Sequence, residues 1–243
     1  MREKRQCEMR IGVFGDIHDR VRNTAVRCIN LFQNILETEE FDLVLQIGDM
    51  CYYPWSYSQT VYWIYGNNDL VKVIEEIESG QRQIKNLQNI KTGEVLHFYK
   101  DGESVKVAGL NGGYDPIYYT WSKDKLARVD PSYFVAEDVE KCAELKDVDI
   151  FLTHEWPAGL GFRSQNSDDP GAPPIRELVD KISPRFLFCG HMHRYQEVHH
   201  NGVNIYCLDQ LKEEYYILDT STQELERVKS IEYLKRHPEL PLF

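Results

Sequence analysis

Asp16 and His18 stand two residues apart just beyond an apolar run, Met9-Arg10-Ile11-Gly12-Val13-Phe14. A carboxylate oxygen and an imidazole nitrogen at that spacing suit Zn, Mn, Fe or Ni. Alone, the pair is weak, and a strand-end turn whose Asp caps the next helix is the commoner reading. The pattern then recurs. Gly48-Asp49 follows Phe41–Ile47, Gly66-Asn67-Asn68-Asp69 follows Thr60–Tyr65, His154 follows Val148–Leu152, and Gly190-His191-Met192-His193 follows Arg185–Cys189. Each piece has an ordinary reading: a turn for the two Gly-led segments, a hydrogen-bonded core histidine for His154, a solvent loop for the last. Together they are a constellation. Five strand tips deliver Asp16, His18, Asp49, Asn67, His154, His191 and His193, more nitrogen and oxygen ligands than one ion needs. They suit two divalent cations sharing one carboxylate, and Asp49 is the natural bridge because its two oxygens spread charge over both ions. Such a pair clamps a phosphoryl group.

The elements that position these residues are read from apolar spacing. Near-continuous apolar runs of strand length before each ligand imply a buried, largely parallel sheet. Helical spacing predicts helices over Asn23–Glu37 (Asn23 or Thr24 as cap), Leu70–Ile77, Val135–Leu145, Ile175–Ile182 and Leu225–Leu234. Val95–Tyr99 and Val105–Leu110 read as strands joined at Asp101-Gly102, and Gln196–Val198, Val203–Leu208 and Tyr215–Asp219 as an antiparallel meander. Asn111–Phe134, rich in Tyr and Trp, reads as a long loop serving as a lid or substrate wall, or else as an aromatic surface packed on the core. No repeat or linker divides the chain, so one domain over residues 1–243 is expected.

Charge narrows the partners. Thirty-nine acidic against 28 basic residues give a formal net charge of -11, which argues against general nucleic-acid or membrane-surface binding. A nucleotide substrate remains compatible, because bound cations reverse the local field. The six cysteines form no Cys-x-x-Cys pair, so neither a disulfide framework nor a structural zinc site is expected. Met1-Arg2-Glu3-Lys4-Arg5 lacks the apolar core of a signal sequence, and a soluble cytoplasmic protein is expected.

From about Arg10 to Leu208 the sequence strongly resembles the calcineurin-like metallophosphoesterase superfamily, whose signature runs Asp-x-His, Gly-Asp, Gly-Asn-His-Asp/Glu, a lone His, and Gly-His-x-His. The resemblance implies an α/β fold, a four-layer αββα sandwich with two mixed sheets flanked by helices. It further implies two divalent ions (Mn, Fe, Zn, Ni or Co), one held by Asp16, His18, Asp49 and His193, the other by Asp49, Asn67, His154 and His191. The nucleophile would be a metal-bridging hydroxide attacking phosphorus in line. A local likeness to lariat-RNA debranching enzymes lies in His154-Glu155-Trp156-Pro157-Ala158-Gly159, with Pro173-Pro174 and Pro184-Arg185-Phe186 having counterparts there.

One departure carries consequences. Asn68 stands where the superfamily usually has a His that protonates the leaving oxygen or steadies the transition state. An amide is no general acid, so the loss implies slow turnover, an undemanding leaving group, or an acid from elsewhere, for which His97, His199 and His200 are candidates. The expected activity is that of a metal-dependent phosphoesterase, more a phosphodiesterase than a phosphomonoesterase, with Asp49, Asn67 and Asn68 at the reaction. Asn68, Trp156 and Tyr114 are expected to touch the substrate, a small and nucleotide-type phosphoester, with Tyr118, Tyr119 and Trp121 available to stack a base. Two rivals of other kinds are a non-catalytic binding module and an RNA-debranching nuclease. The first is opposed by seven inward polar groups that are costly to bury without cations, the second by the acidic balance, by Asp16 where those enzymes often have Cys, and by Asn68. A protein phosphatase is disfavoured because the arginine-bearing motif after the third signature is missing.

Overall fold

Period-2 alternation decides which way each strand faces, and the same alternation divides the interior into three apolar layers. The computed structural model describes residues 9–21, 24–163 and 171–239. Its first sheet contains β1 (Arg10–Phe14), β2 (Leu43–Ile47), β3 (Ser56–Ile64), β4 (Lys85–Asn89), β11 (Glu214–Asp219) and β12 (Leu225–Lys229), in the order β12-β11-β1-β2-β3-β4. The second contains β5 (Val95–Lys100), β6 (Glu103–Leu110), β7 (Ile150–Thr153), β8 (Phe186–Cys189), β9 (Gln196–His200) and β10 (Val203–Cys207), in the order β5-β6-β7-β8-β10-β9. Strands β1, β2, β3 and β4 are parallel, as are β6, β7, β8 and β10, while β11, β12, β5 and β9 pair antiparallel.

Ile11, Val13, Leu45, Ile47, Ile150, Leu152, Phe186 and Phe188 fill the space between the sheets. The alternate residues face outward onto helices. Phe14, Val44 and Trp63 pack against α1 (Cys28–Thr38), α2 (Val71–Glu78) and α6 (Ser230–Arg236). On the other side Phe151, Leu187 and Ile205 pack against α4 (Ala136–Cys142) and α5 (Pro173–Ile182). Two six-stranded mixed sheets flanked by helices form an αββα sandwich. Each fully buried Phe or Leu in it contributes about 1.5–3 kcal/mol relative to exposure.

Several elements differ from their sequence reading. The first helix starts at Cys28, because Val21 and Val26 close a turn through Val21 N–H to Val26 O (2.9 Å) and Arg20 bridges Arg27. Asn23, the alternative cap, lies outside the described residues, and Thr24 spends its hydroxyl on Val21 O at 2.9 Å. Leu225–Lys229 is a strand and only Ser230–Arg236 is helical, since the backbone at 225–229 pairs with β11 at the sheet edge. The expected meander is split: 203–207 lies parallel to β8 in the second sheet, whereas 214–219 lies against β1 in the first. Strand β4 has no counterpart in the sequence reading. Within the aromatic stretch, α3 (Lys123–Leu126) and a 3-10 turn at Tyr118–Thr120 interrupt the loop.

Candidate metal centre

The C-terminal ends of the parallel strands of both sheets meet along one edge, and the seven ligand-type residues occupy the loops that leave them. Two of these loops pass too close to their neighbours for a side chain. Gly48 has φ +100° and a Cβ there would lie 2.7 Å from His154 Nδ1; at Gly66 one would lie 2.4 Å from Asp49 Oδ1. Asp49, His191 and His193 themselves hold φ of 55°, 65° and 53°. Left-handed backbone at non-glycine residues is strain the surrounding structure must over-determine.

Buried polar side chains do so. Gln46, enclosed in β2, donates to Gly48 O and to Gly15 O (3.3 Å) while accepting from Gly48 N–H at 3.1 Å. Asp69 accepts from Asp49 N–H, Cys51 N–H and Gly66 N–H, each at 2.9 Å, and from the Tyr53 hydroxyl. Between them these two residues tie the loops after β1, β2 and β3 together. Gln46 does not emerge from the ligand pattern, although one polar residue in Leu43–Ile47 is itself a signal.

The ligand-type atoms fall into two clusters that share Asp49. Asp16, His18, Asp49 and His193 form one; Asp49, His154 and His191 form the other, with the atoms of each within 4.8 Å of one another. In the first, His193 Nε2 lies 2.7 Å from Asp16 Oδ2 and 3.2 Å from His18 Nε2, and His18 Nε2 is 3.8 Å from Asp49 Oδ2. In the second, Asn67 Oδ1 lies 3.0 Å from His154 Nε2 and 2.9 Å from His191 Nδ1, with His154 Nε2 3.4 Å from Asp49 Oδ1. His154 donates Nδ1–H to Ile47 O at 3.0 Å. That bond fixes the ring and leaves Nε2 to face the centre, as in many metal-bound histidines.

These residues fit divalent cations. Asp16 Oδ2 is buried and faces two imidazole nitrogens, His193 Nε2 at 2.7 Å and His18 Nε2 at 3.7 Å, a set of donor atoms that a shared cation would draw together. Burial alone would raise the Asp16 carboxyl, but His18 and His193 beside it hold it well below the usual carboxylate range. Asp49 is likewise lowered, with burial opposed chiefly by the charge of His154. The His154 ring, although burial disfavours its charge, is raised well above its ordinary value by Asp49 and Asp16. Two buried carboxylates thus create a field that binds positive charge, and imidazole and carboxylate donors suit Mn, Fe, Zn, Ni or Co.

Asn68 does not point away from this centre. Its backbone N–H donates to Asp49 Oδ1 at 2.9 Å and its Nδ2 to Asp49 Oδ2 at 2.7 Å. Trp156, nearly buried, lays its ring against His191, with centroids 5.5 Å apart. Tyr114 stacks on Phe134 (5.8 Å) and donates its N–H to Glu155 Oε1 at 3.1 Å, beside Gly113, which abuts Asn67. Tyr118 spends its ring on Trp121 and Tyr133, at 4.9 and 5.1 Å. The three histidines that are candidate replacement acids lie elsewhere. His97 pairs with Lys106, and His199 and His200 with Asn204 and Val203, at the strand ends opposite the ligand loops. His200 is bound to Asp180 Oδ1 at 2.7 Å.

Paired histidine–carboxylate clusters thus sit at the joined strand tips of a four-layer sandwich. The chain belongs to the calcineurin-like phosphoesterase family, which matches residues 9–195. Among curated proteins it is similar to the lariat debranching enzyme of Schizosaccharomyces pombe, 23% identical over 229 residues covering 82% of this chain and 46% of that protein. It is 26% identical over 153 residues to the lariat debranching enzyme of Arabidopsis thaliana, covering 54% of this chain and 36% of that one. The chain therefore spans less than half the length of either relative. Among solved structures, TT1561 of Thermus thermophilus shares the fold with a TM-score of 0.59 at 15% identity, covering 91% of this chain and 99% of that one. GAP50 of Plasmodium does so with a TM-score of 0.53 at 10% identity, covering 97% and 96%. Among the described residues no helix is long and apolar enough to cross a membrane.

Proposed function

We propose that the chain hydrolyses phosphodiesters at a centre of two divalent cations, one held by Asp16, His18, Asp49 and His193 and the other by Asp49, Asn67, His154 and His191. The observation that carries this reading is the membership of Asp49 in both clusters. When bound, the two cations supply Lewis-acid polarisation of the phosphoryl oxygens and lower the pKa of the attacking water. The chain's own residues do the rest. His154, anchored on Ile47 O, presents Nε2 in one direction only. Asn68 holds both oxygens of Asp49 and so fixes the shared carboxylate. Trp156 covers one face of the His191 ring.

No proton donor stands at Asn68, so the reaction favours leaving groups that depart readily as anions. This supports a small, nucleotide-type diester over a simple alkyl ester, with Tyr114 and Trp156 on the substrate side. A second substrate, branched RNA, is favoured by the likeness to the lariat debranching enzymes of S. pombe and A. thaliana. The acidic balance of -11 and the absence of a histidine at position 68 stand against it.

The test is hydrolysis of bis(p-nitrophenyl) phosphate beside p-nitrophenyl phosphate with Mn²⁺ added and His191→Ala as the blank. Metal-dependent release from the diester, lost in the variant, is expected, and branched RNA and nucleotide diesters are then compared as substrates. No release from either compound, with two ions bound by elemental analysis, would replace this reading with a binding module.

A further inference from the structure

We propose that Gln210 binds substrate, its carboxamide donating a hydrogen bond to a phosphoryl oxygen at the cluster of Asp16, His18, Asp49 and His193; the inference rests on the metal reading above. Gln210 lies in the connection from β10 to β11 and is only 2% exposed. Its Nε2 is 3.1 Å from His18 Nε2 and 3.5 Å from His18 Nδ1. The same His18 Nε2 is the atom that approaches His193 Nε2 and Asp49 Oδ2. An imidazole nitrogen offers one lone pair. It serves the amide or a cation, never both.

A loaded site therefore takes this acceptor away and leaves an amide donor, enclosed by protein, facing the centre. The backbone keeps it there. Gln210 N–H donates to Asp209 Oδ1 (2.8 Å), and its carbonyl accepts from Glu213 N–H (2.9 Å) and Glu214 N–H (3.3 Å). On either side, Leu211 N–H donates to Asp16 O at 2.9 Å and Asp209 N–H to the Tyr216 hydroxyl at 2.8 Å. Leaving such a donor unpaired is unfavourable. The group that arrives beside this cation with acceptor oxygens and negative charge is the phosphoryl group of the substrate.

The experiment uses inorganic phosphate as probe, titrated calorimetrically into the full chain loaded with Mn²⁺, after Mn²⁺ stoichiometry and affinity have been measured. Gln210→Met keeps the length of the side chain and most of its volume without its donors, and serves even where Gln210→Ala fails to fold. Gln210→Glu adds a charge that repels phosphate. We expect Mn²⁺ binding unchanged in Gln210→Met and phosphate affinity weakened at least about tenfold, the usual scale for a hydrogen bond to a charged group, with a larger loss in Gln210→Glu. Equal phosphate affinity in the wild type and Gln210→Met overturns the proposal. So does a parallel loss of Mn²⁺ affinity in Gln210→Met, which would make the residue a support of the metal site. A wild-type chain that takes up no Mn²⁺ sinks the metal reading itself, an outcome visible before any phosphate is added.

Discussion

Asn68 clamps both oxygens of Asp49, and the consequence of an amide at this position is measurable. A general acid contributes about 10²–10⁴-fold to such reactions, and most of that matters when the leaving group is basic. Asn68→His should raise turnover on aryl methyl phosphates with poor leaving groups by about tenfold or more, and flatten the dependence of rate on leaving-group pKa. An unchanged slope would show that position 68 does not face the leaving oxygen. Asp49 tests the sharing of one carboxylate: Asp49→Ala should abolish activity and reduce bound metal at both clusters together, measured by elemental analysis. Retention of both ions with turnover would remove the bridging role. All seven ligand-type residues were legible because strand-then-ligand recurs five times with metal-competent side chains. Gln46, Asp69 as a tie, and Gln210 were not, since each acts through one hydrogen bond or a few to a loop or ring that is distant in sequence, and no spacing records that.

At the level of elements, the site depends on how the loops after β2 and β3 are joined, and Asp69 is the joint. Its carboxylate serves three backbone N–H groups and the Tyr53 hydroxyl from a position 4% exposed. Asp69→Ala leaves those donors without a partner, at about 1–3 kcal/mol for each buried donor left unsatisfied. We expect a total loss of at least about 4 kcal/mol in urea denaturation together with weaker Mn²⁺ binding, because Asp49 loses its backbone anchor. Full stability with normal metal affinity would contradict the role. The strands that carry ligands were readable as apolar runs because both faces are covered. The ones that were not readable lie at sheet edges. Lys85–Asn89 contains one apolar residue, Leu87, and among the described residues pairs only with β3, so pattern alone gives it no identity. Leu225–Leu234 has helical spacing, yet its first half is drawn into pairing by β11, a long-range hydrogen-bond partner that outweighs local preference. Likewise α1 starts late because Val26 accepts from Val21 N–H and Arg27 bridges Arg20, pairings that hold this backbone out of the helix against the apolar period.

The two sheets must also be kept in register at the end that bears the ligands, and Glu214 is placed to do it. This carboxylate is fully buried and binds the Arg227 guanidinium (2.8 Å), the Lys229 ammonium and the Tyr216 hydroxyl (2.9 Å). Arg227 in turn lies 3.8 Å over the ring of Tyr195, which follows the last ligand loop, and Tyr195 stacks on Tyr216 at 5.6 Å. First-sheet charge thus holds a second-sheet loop. Burial opposes the charge of Glu214, but Lys229, Arg227 and Tyr216 outweigh it and lower its carboxyl below the ordinary value. A group whose folded pKa lies below its unfolded one contributes stability that is complete above the unfolded value, about 4.3, and is lost as pH falls through the folded value. Glu214→Gln should therefore be less stable than the wild type by about 2 kcal/mol at pH 7, below the usual 3–5 for a broken buried pair because Arg227 and Lys229 reach water. The gap should close as the pH falls below 4, since protonation then removes from the wild type what the variant lacks. Urea denaturation of both proteins between pH 3 and 7 measures it. A gap that stays constant across that range would mean that the Glu214 side chain holds the loop by shape and neutral hydrogen bonding alone, with no contribution from its charge.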